Sequence, residues 1–271
     1  IEHRLAYLET SRGCPFSCTF CQEGATYFTR VKAHSLDFIV KELDYIAERV
    51  DPKQGLFITD SNWAMYEADV DSAKHLAKLQ DKYHWPSEII SSTGKANLGR
   101  IIEIGKILKG TMFISNSVQS MNNDVLKAIK RRNLKAEDLE KHKAELANMR
   151  QEPEIIIPLP NETRKTFIAG LNQLLDAGTR QRFAVFQCMV LSNTELGEGS
   201  TIRDLEMIVK FRQHSNLMGY VNGKFVCETE RVIVSTKTMP KDDVCDCRVY
   251  SMLLDAILRF EPVDEIFRYL D

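Results

Sequence analysis

Along most of the chain, short apolar runs alternate with stretches whose apolar residues recur at helical spacing. Residues 5–9, 55–59, 88–92, 111–117, 155–157 and 183–190 are the runs, and each reads as a strand. Between the first two, Leu36, Ile39, Val40, Leu43, Ile46 and Ala47 share one face behind Ser35, so the spacing predicts a helix over 36–47. Further helices are expected over 67–83, over 97–108, around Val125, Leu126 and Ile129, and after 161–163, the last carrying Phe167, Leu171 and Leu174 with Gly178 placed to close it. Continuous apolar runs mark strands covered on both faces, and their alternation with helices marks parallel βα units. The fold class is therefore α/β: an open, partial (β/α)6 barrel of TIM-like form over residues 1–200. Past 201 the alternation stops. One more helix, a strand around 231–236 and a helical tail from about 247 to 260 are expected there, as an α/β C-terminal extension over 201–271 packed on the barrel.

In barrels of this kind reactive groups gather at the C-terminal strand ends. Here those ends carry the loop GCPFSCTFC at 13–21, then Asp60-Ser61-Asn62, then Gln119-Ser120, then Pro158-Leu159-Pro160. The loop places Cys14, Cys18 and Cys21 within eight residues. Thiolates are soft donors that favour zinc or iron-sulfur iron. Three on one tight loop suit three corners of a four-iron cluster and leave the fourth iron open. A structural zinc normally takes four ligands and would have to recruit one from afar, such as His34. Asp60, Ser61 and Asn62 equally suit a helix cap or a turn. Cys188, Cys227, Cys245 and Cys247 are open to two readings, a second cluster or small buried hydrophobes.

The spacing CxxxCxxC, with Phe20 just before the last cysteine, resembles the signature of the radical S-adenosylmethionine (SAM) enzymes. The resemblance extends over roughly 5–196 and implies that Cys14, Cys18 and Cys21 ligate a [4Fe-4S] cluster whose open iron is chelated by SAM. It also implies that Asp60, Ser61 and Asn62 meet the SAM amino group. The segment SVQSMNNDVLKAIKRR resembles the family's fourth-strand region, which implies Gln119 and Ser120 near the ribose and Arg131 at the SAM carboxylate. IIIPLPNET resembles the fifth-strand motif that cradles adenine. The implied activity is reductive cleavage of SAM to a 5′-deoxyadenosyl radical, with the hard chemistry carried by the cofactor. The implied partners are a small-molecule or peptide substrate and an electron donor such as flavodoxin or ferredoxin.

More narrowly, YLETSRGCPFSCTFC and ETERVIVSTKTM resemble members that carry an N-terminal cobalamin-binding domain, many of them methyltransferases. The chain starts at Ile1 and enters a strand almost at once, which reads as excision from something longer with cobalamin held by a domain ahead of it. Two alternatives stand beside this one. The first is a cobalamin-independent radical SAM enzyme that modifies RNA or rearranges a small molecule. The second is a zinc-stabilised, non-catalytic binding module.

Composition narrows the partners. Of 271 residues 44% are apolar and 27% charged, enough for a core, and the net charge of −2 shows no basic excess of the kind that nucleic-acid binding brings. In the charged segment 127–143, Glu137, Asp138 and Glu140 interleave with the lysines and arginines, as on a solvated helix face. No stretch approaches the roughly 18 apolar residues of a membrane span, and no secretory signal is visible. Seven cysteines, three of them clustered, suit a reducing cytoplasm.

Overall fold

A computed structural model of the protein describes residues 5–259 other than 95, 134–140, 143–144, 146–150, 178 and 180–182. Gly178, Glu137, Asp138 and Glu140 lie outside the described residues, as does the end of the expected C-terminal tail. The chain opens with β1 (Ala6–Leu8) and two short strands, β2 (Ser11–Arg12) and β3 (Lys32–Ala33), which pair antiparallel and close the base of the cysteine loop. α1 (Leu36–Ala47) follows, with Ser35 Oγ accepting from Phe38 N at 3.3 Å. It buries Ile39, Leu43 and Ala47, and each large apolar side chain so placed contributes on the order of 1.5–3 kcal/mol.

Then come β4 (Leu56–Trp63), α2 (Glu67–Tyr83), β5 (Ile89–Thr93) and α3 (Leu98–Ile107), followed by β6 (Ile114–Gln119), α4 (Asn123–Ala128) and β7 (Gln151–Ile157). α5 (Arg164–Asp176) and β8 (Ala184–Gln187) complete the series. β1, β4 and β5 form one parallel sheet and β6, β7 and β8 another. A parallel bridge between Ile89 and Met112 joins them, with Ile89 N donating to Thr111 O at 2.9 Å and Phe113 N to Ile89 O at 3.0 Å. The six expected strands thus follow one another in chain order, covered by helices. The front half of the core holds Leu8, Leu56, Ile58, Trp63 and Ile89. The rear half holds Val118, Ile155, Ile157, Phe167 and Leu171.

The last quarter departs from expectation. The helix after 201 is only the short α6 (Gly199–Asp204), and residues 208–235 are a long hairpin of β9 (Ile208–Val221) and β10 (Lys224–Ser235). Its turn is Asn222-Gly223, with φ of 50° and 75°, the left-handed pair that two-residue hairpin loops need. The strand foreseen at 231–236 is therefore the end of a longer one, and the segment before it is its partner rather than helix. Much of the hairpin is exposed, so its apolar pattern does not follow a buried face. β10 also continues the barrel sheet: Val190 N donates to Arg231 O at 2.8 Å and Ile233 N to Cys188 O at 2.9 Å. The terminal α7 (Lys241–Arg259) packs Val244 and Cys247 into the core with Phe167 and Leu171.

Candidate active site

The cysteine loop leaves β1 at the C-terminal end of the sheet, and backbone hydrogen bonds fix it on several sides. Cys14 N donates to Phe28 O at 2.9 Å, Thr19 N to Ile129 O at 3.1 Å, and Leu196 N to Thr19 O at 2.8 Å. Two glycines make the path possible. Gly13 has φ of 111°, and a Cβ there would stand 2.8 Å from Phe28 O. A Cβ on Gly24 would stand 2.2 Å from Cys18 O. Phe20 packs against the buried cluster that contains Ile129 and Leu196.

β4 explains much of what surrounds the sulfurs. Alternation along a strand puts Leu56, Ile58, Asp60 and Asn62 on one face, so that face turns from apolar to polar toward the cysteines. Asp60 lies inside the strand, which runs to Trp63, and its oxygens accept from Thr10 N at 2.7 Å, Thr10 Oγ1 at 2.6 Å and Ser11 Oγ at 2.7 Å. Burial pushes its carboxyl up from the usual range, against the pull of those hydrogen bonds. Asp60 therefore anchors the two residues that lead into the loop. Asn62, also buried, donates through Nδ2 to Cys14 Sγ at 3.2 Å, and its Oδ1 has no partner. Ser61 falls on the opposite face and is half-buried.

The rear half answers with a cation. Arg131 is buried, its Nη1 is 3.9 Å from Cys18 Sγ, its Nη2 donates to Ser117 O, and its Nε has no partner. Gln119 ends β6 with φ of 63°, uncommon away from glycine, and Ser120 N donates back to Val118 O at 2.7 Å, which closes a γ-turn around it. The Gln119 side chain is buried with Oε1 unpartnered. Ser120 Oγ donates to Glu162 Oε2 at 2.5 Å, and Glu162 also accepts from Thr166 Oγ1. Burial pushes the Glu162 carboxyl up as well.

Five further residues join the site without being expected from the sequence. In the sequence Glu162 reads as part of a helix opening and of the fifth-strand motif, and Thr10 and Ser11 fall between the expected strand 5–9 and the cysteine loop. Tyr66, after β4, has a buried hydroxyl without a partner, and burial followed by the negative charges of Cys14, Asp69 and Asp60 pushes its phenol up. Asp69 accepts from Tyr66 N at 2.9 Å, and burial raises its carboxyl to about 6.

These residues fit an iron-sulfur group and a polar co-substrate. Cys14 and Cys18 are buried and each sulfur has an N–H group aimed toward it, as suits a thiolate. Among the described residues no three His, Cys, Asp or Glu side chains converge on a single ion. Thiolates of a four-iron cluster go to separate irons and need not converge. Around them, Asn62 Oδ1, the Tyr66 hydroxyl, Ser91 Oγ, Gln119 Oε1 and Arg131 Nε are buried without partners. Such groups cost about 1–3 kcal/mol each when left unsatisfied, and their concentration at the strand ends marks a place for a polar ligand. The other cysteines are apart: Cys188 and Cys247 are buried in different core clusters, with thiols pushed up by burial to about 12 and about 11. His34 stacks its ring on Phe38 at 4.7 Å.

The model of the radical SAM superfamily matches residues 8–211. The chain belongs to that superfamily. Its members use a [4Fe-4S] cluster and SAM. The cobalamin-dependent radical SAM methyltransferase TokK of Streptomyces tokunonensis is 28% identical over 246 residues, covering 88% of this chain and 35% of that protein. The 2-(S-pantetheinyl)-carbapenam-3-carboxylate methyltransferase of Streptantibioticus cattleyicolor is 29% identical over 251 residues, covering 89% of this chain and 36% of that protein. The chain thus spans about a third of the length of these relatives. Among solved structures, the radical SAM methyltransferase TsrM of Kitasatospora setae, with tryptophan and a SAM analogue bound, has a TM-score of 0.64 at 12% identity. That match covers 90% of this chain and 52% of the other, and it shows a shared fold. No helix among the described residues is long and apolar enough to cross a membrane.

Proposed function

We propose that this chain is the catalytic barrel of a cobalamin-dependent radical SAM methyltransferase, with Cys14, Cys18 and Cys21 as the cluster ligands. The observation that carries the ligand assignment is the seating of the cysteine loop at the polar end of the sheet, with Asn62 beside one sulfur and Arg131 beside another. The methyl-transfer reading is supported by the names and coverage of the two relatives. When bound, the cluster and SAM supply one-electron cleavage of a sulfonium bond, and cobalamin supplies a carrier for a methyl group.

The protein's own residues have separable tasks in this reading. Asp60 holds Thr10 and Ser11 and so fixes the entry to the loop. Its oxygens are engaged there and Ser61 turns to the opposite face, which leaves the Asn62 Oδ1 acceptor for the SAM ammonium. Arg131 places a fixed positive charge by Cys18 and offers its unpartnered Nε to the SAM carboxylate. Gln119 offers its free amide oxygen to the ribose, and Ser120 keeps lone pairs for it while donating to Glu162. The buried positions of Cys14 and Cys18 keep water from the metal. A reducing protein of the flavodoxin or ferredoxin kind delivers the electron.

Anaerobic turnover of the reconstituted protein with SAM and reductant, with and without added hydroxocobalamin, which the reductant takes to the form that accepts a methyl group from SAM, tests the reading. S-adenosylhomocysteine released only in the presence of cobalamin is the expected result. Release of 5′-deoxyadenosine alone under both conditions would favour the cobalamin-independent alternative.

A further inference from the structure

A cleft of about 430 Å³ opens between the cysteine loop and the hairpin, lined by Gln22, Met189, Leu191, Ser192, Glu228 and Arg231 among others. Gln22 follows Cys21 directly and bridges toward the far wall, its Nε2 donating to Ser192 O at 3.4 Å. The cleft therefore sits beside the candidate cluster loop, at the end of the sheet where β10 continues it. Its volume lies in the range of about 300–1,000 Å³ typical of small-molecule sites and is too small for a folded partner. Its apolar lining comes from Met189 and Leu191, on the segment that pairs with β10, while Val190 belongs to the buried core.

The charged groups that β10 adds to the lining are not equivalent. Glu230 is held by Arg212 at 2.6 Å and lies 3.6 Å from His214, so its charge is already matched. Glu228 is exposed at the rim. Arg231 is half-buried and, among the described residues, its guanidinium has no ion pair or hydrogen bond. A guanidinium is a planar fork of donors that matches a carboxylate, and partial burial weakens the competition from water.

We propose that this cleft is the substrate-recognition site of the enzyme and that it takes a small molecule bearing a carboxylate, which Arg231 holds while the apolar lining covers the adjoining part. This rests on the radical SAM reading, because the role of the cleft follows from its place beside the cluster loop. It narrows the substrate from any small molecule or peptide to one chemical class.

The test is arginine footprinting of the cluster-loaded protein with phenylglyoxal under anaerobic conditions, read by mass spectrometry, with benzoate as probe and benzamide as its neutral counterpart. Benzoate should slow modification of Arg231 about fivefold more than benzamide, the equivalent of roughly 1 kcal/mol, while exposed Arg203 reacts equally with either. Equal modification of Arg231 under both probes would overturn the proposal. Electron paramagnetic resonance (EPR) spectra of the same sample separate the two levels. A SAM-responsive signal without protection removes the cleft assignment alone. Protection without such a signal removes the radical SAM reading, and the substrate role of the cleft with it.

Discussion

Asp60 and Glu162 are placed alike and do different work. Both are buried carboxylates at the C-terminal end of the sheet, one in its front half and one behind its rear half. Asp60 gathers donors only from Thr10 and Ser11, the residues that feed the cysteine loop. Glu162 joins Ser120 at the end of β6 to Thr166 in α5, and its carbonyl accepts from Thr238 ahead of α7 at 2.7 Å. The front carboxylate thus holds the cysteine loop, and the rear one holds the frame. What the frame presents to a ligand is Gln119 and Arg131, each with an unpartnered buried atom.

The largest effect should come from the loop both halves support. Cys18→Ala is expected to abolish cluster binding and SAM cleavage while leaving the barrel folded, as iron content and circular dichroism would record. Normal SAM cleavage by that variant would break the ligand assignment. Next, Asp60→Ala and Glu162→Ala should part company. Losing Asp60 strands three donors beside the loop, so cluster content after reconstitution should fall about tenfold at near-native helicity. Losing Glu162 should cost about 3 kcal/mol of stability in denaturant melts with cluster content retained by the folded fraction. The same profile for both variants would erase the distinction.

A smaller effect sharpens the front half. Asp69 supports the turn after β4, and its carboxyl is raised to about 6. A carboxyl raised above its unfolded value favours the protonated fold, so its contribution is fully present below about pH 4 and is lost as pH rises through about 6. Asp69→Asn should flatten the fall in stability between those pH values by about 3 kcal/mol, measured by urea melts against the native protein. An unchanged slope would contradict the account of that buried carboxyl. The smallest effects concern the two donors at the sulfurs. Asn62→Leu removes an N–H group 3.2 Å from Cys14 and should lower the cluster's reduction potential, because hydrogen bonds to the sulfurs favour the reduced state. Arg131→Met should raise the KM for SAM about tenfold, and Asn62→Leu, which also loses the Oδ1 acceptor, should raise it by less. A KM effect confined to Asn62→Leu would reverse those two roles.

The two regions also differ in how legible they were. α1 and α2 begin and end where periodicity put them, because an amphipathic stripe and a capping residue such as Ser35 are local signals. The proposed ligand role of Cys14, Cys18 and Cys21 rests on a signal of the same local kind, their spacing. The partners of the loop were not. Asp60 is 50 residues from Thr10 and Arg131 is 113 from Cys18, and only the closed sheet brings such pairs together. β4 ran longer than its apolar run because Asp60 and Asn62 find polar partners inside the sheet. The hairpin was misread because its strands are mostly exposed and lack a buried face, although Asn222-Gly223 was a turn signal in plain view.

The central claim is that the loop of Cys14, Cys18 and Cys21 holds a four-iron cluster with an iron open to SAM. EPR of the anaerobically reconstituted, dithionite-reduced protein, recorded with and without SAM, tests it most directly. The account predicts a reduced [4Fe-4S] signal whose shape changes when SAM is added. Colourless protein that retains zinc and gives no signal, or a cluster signal indifferent to SAM, would contradict it.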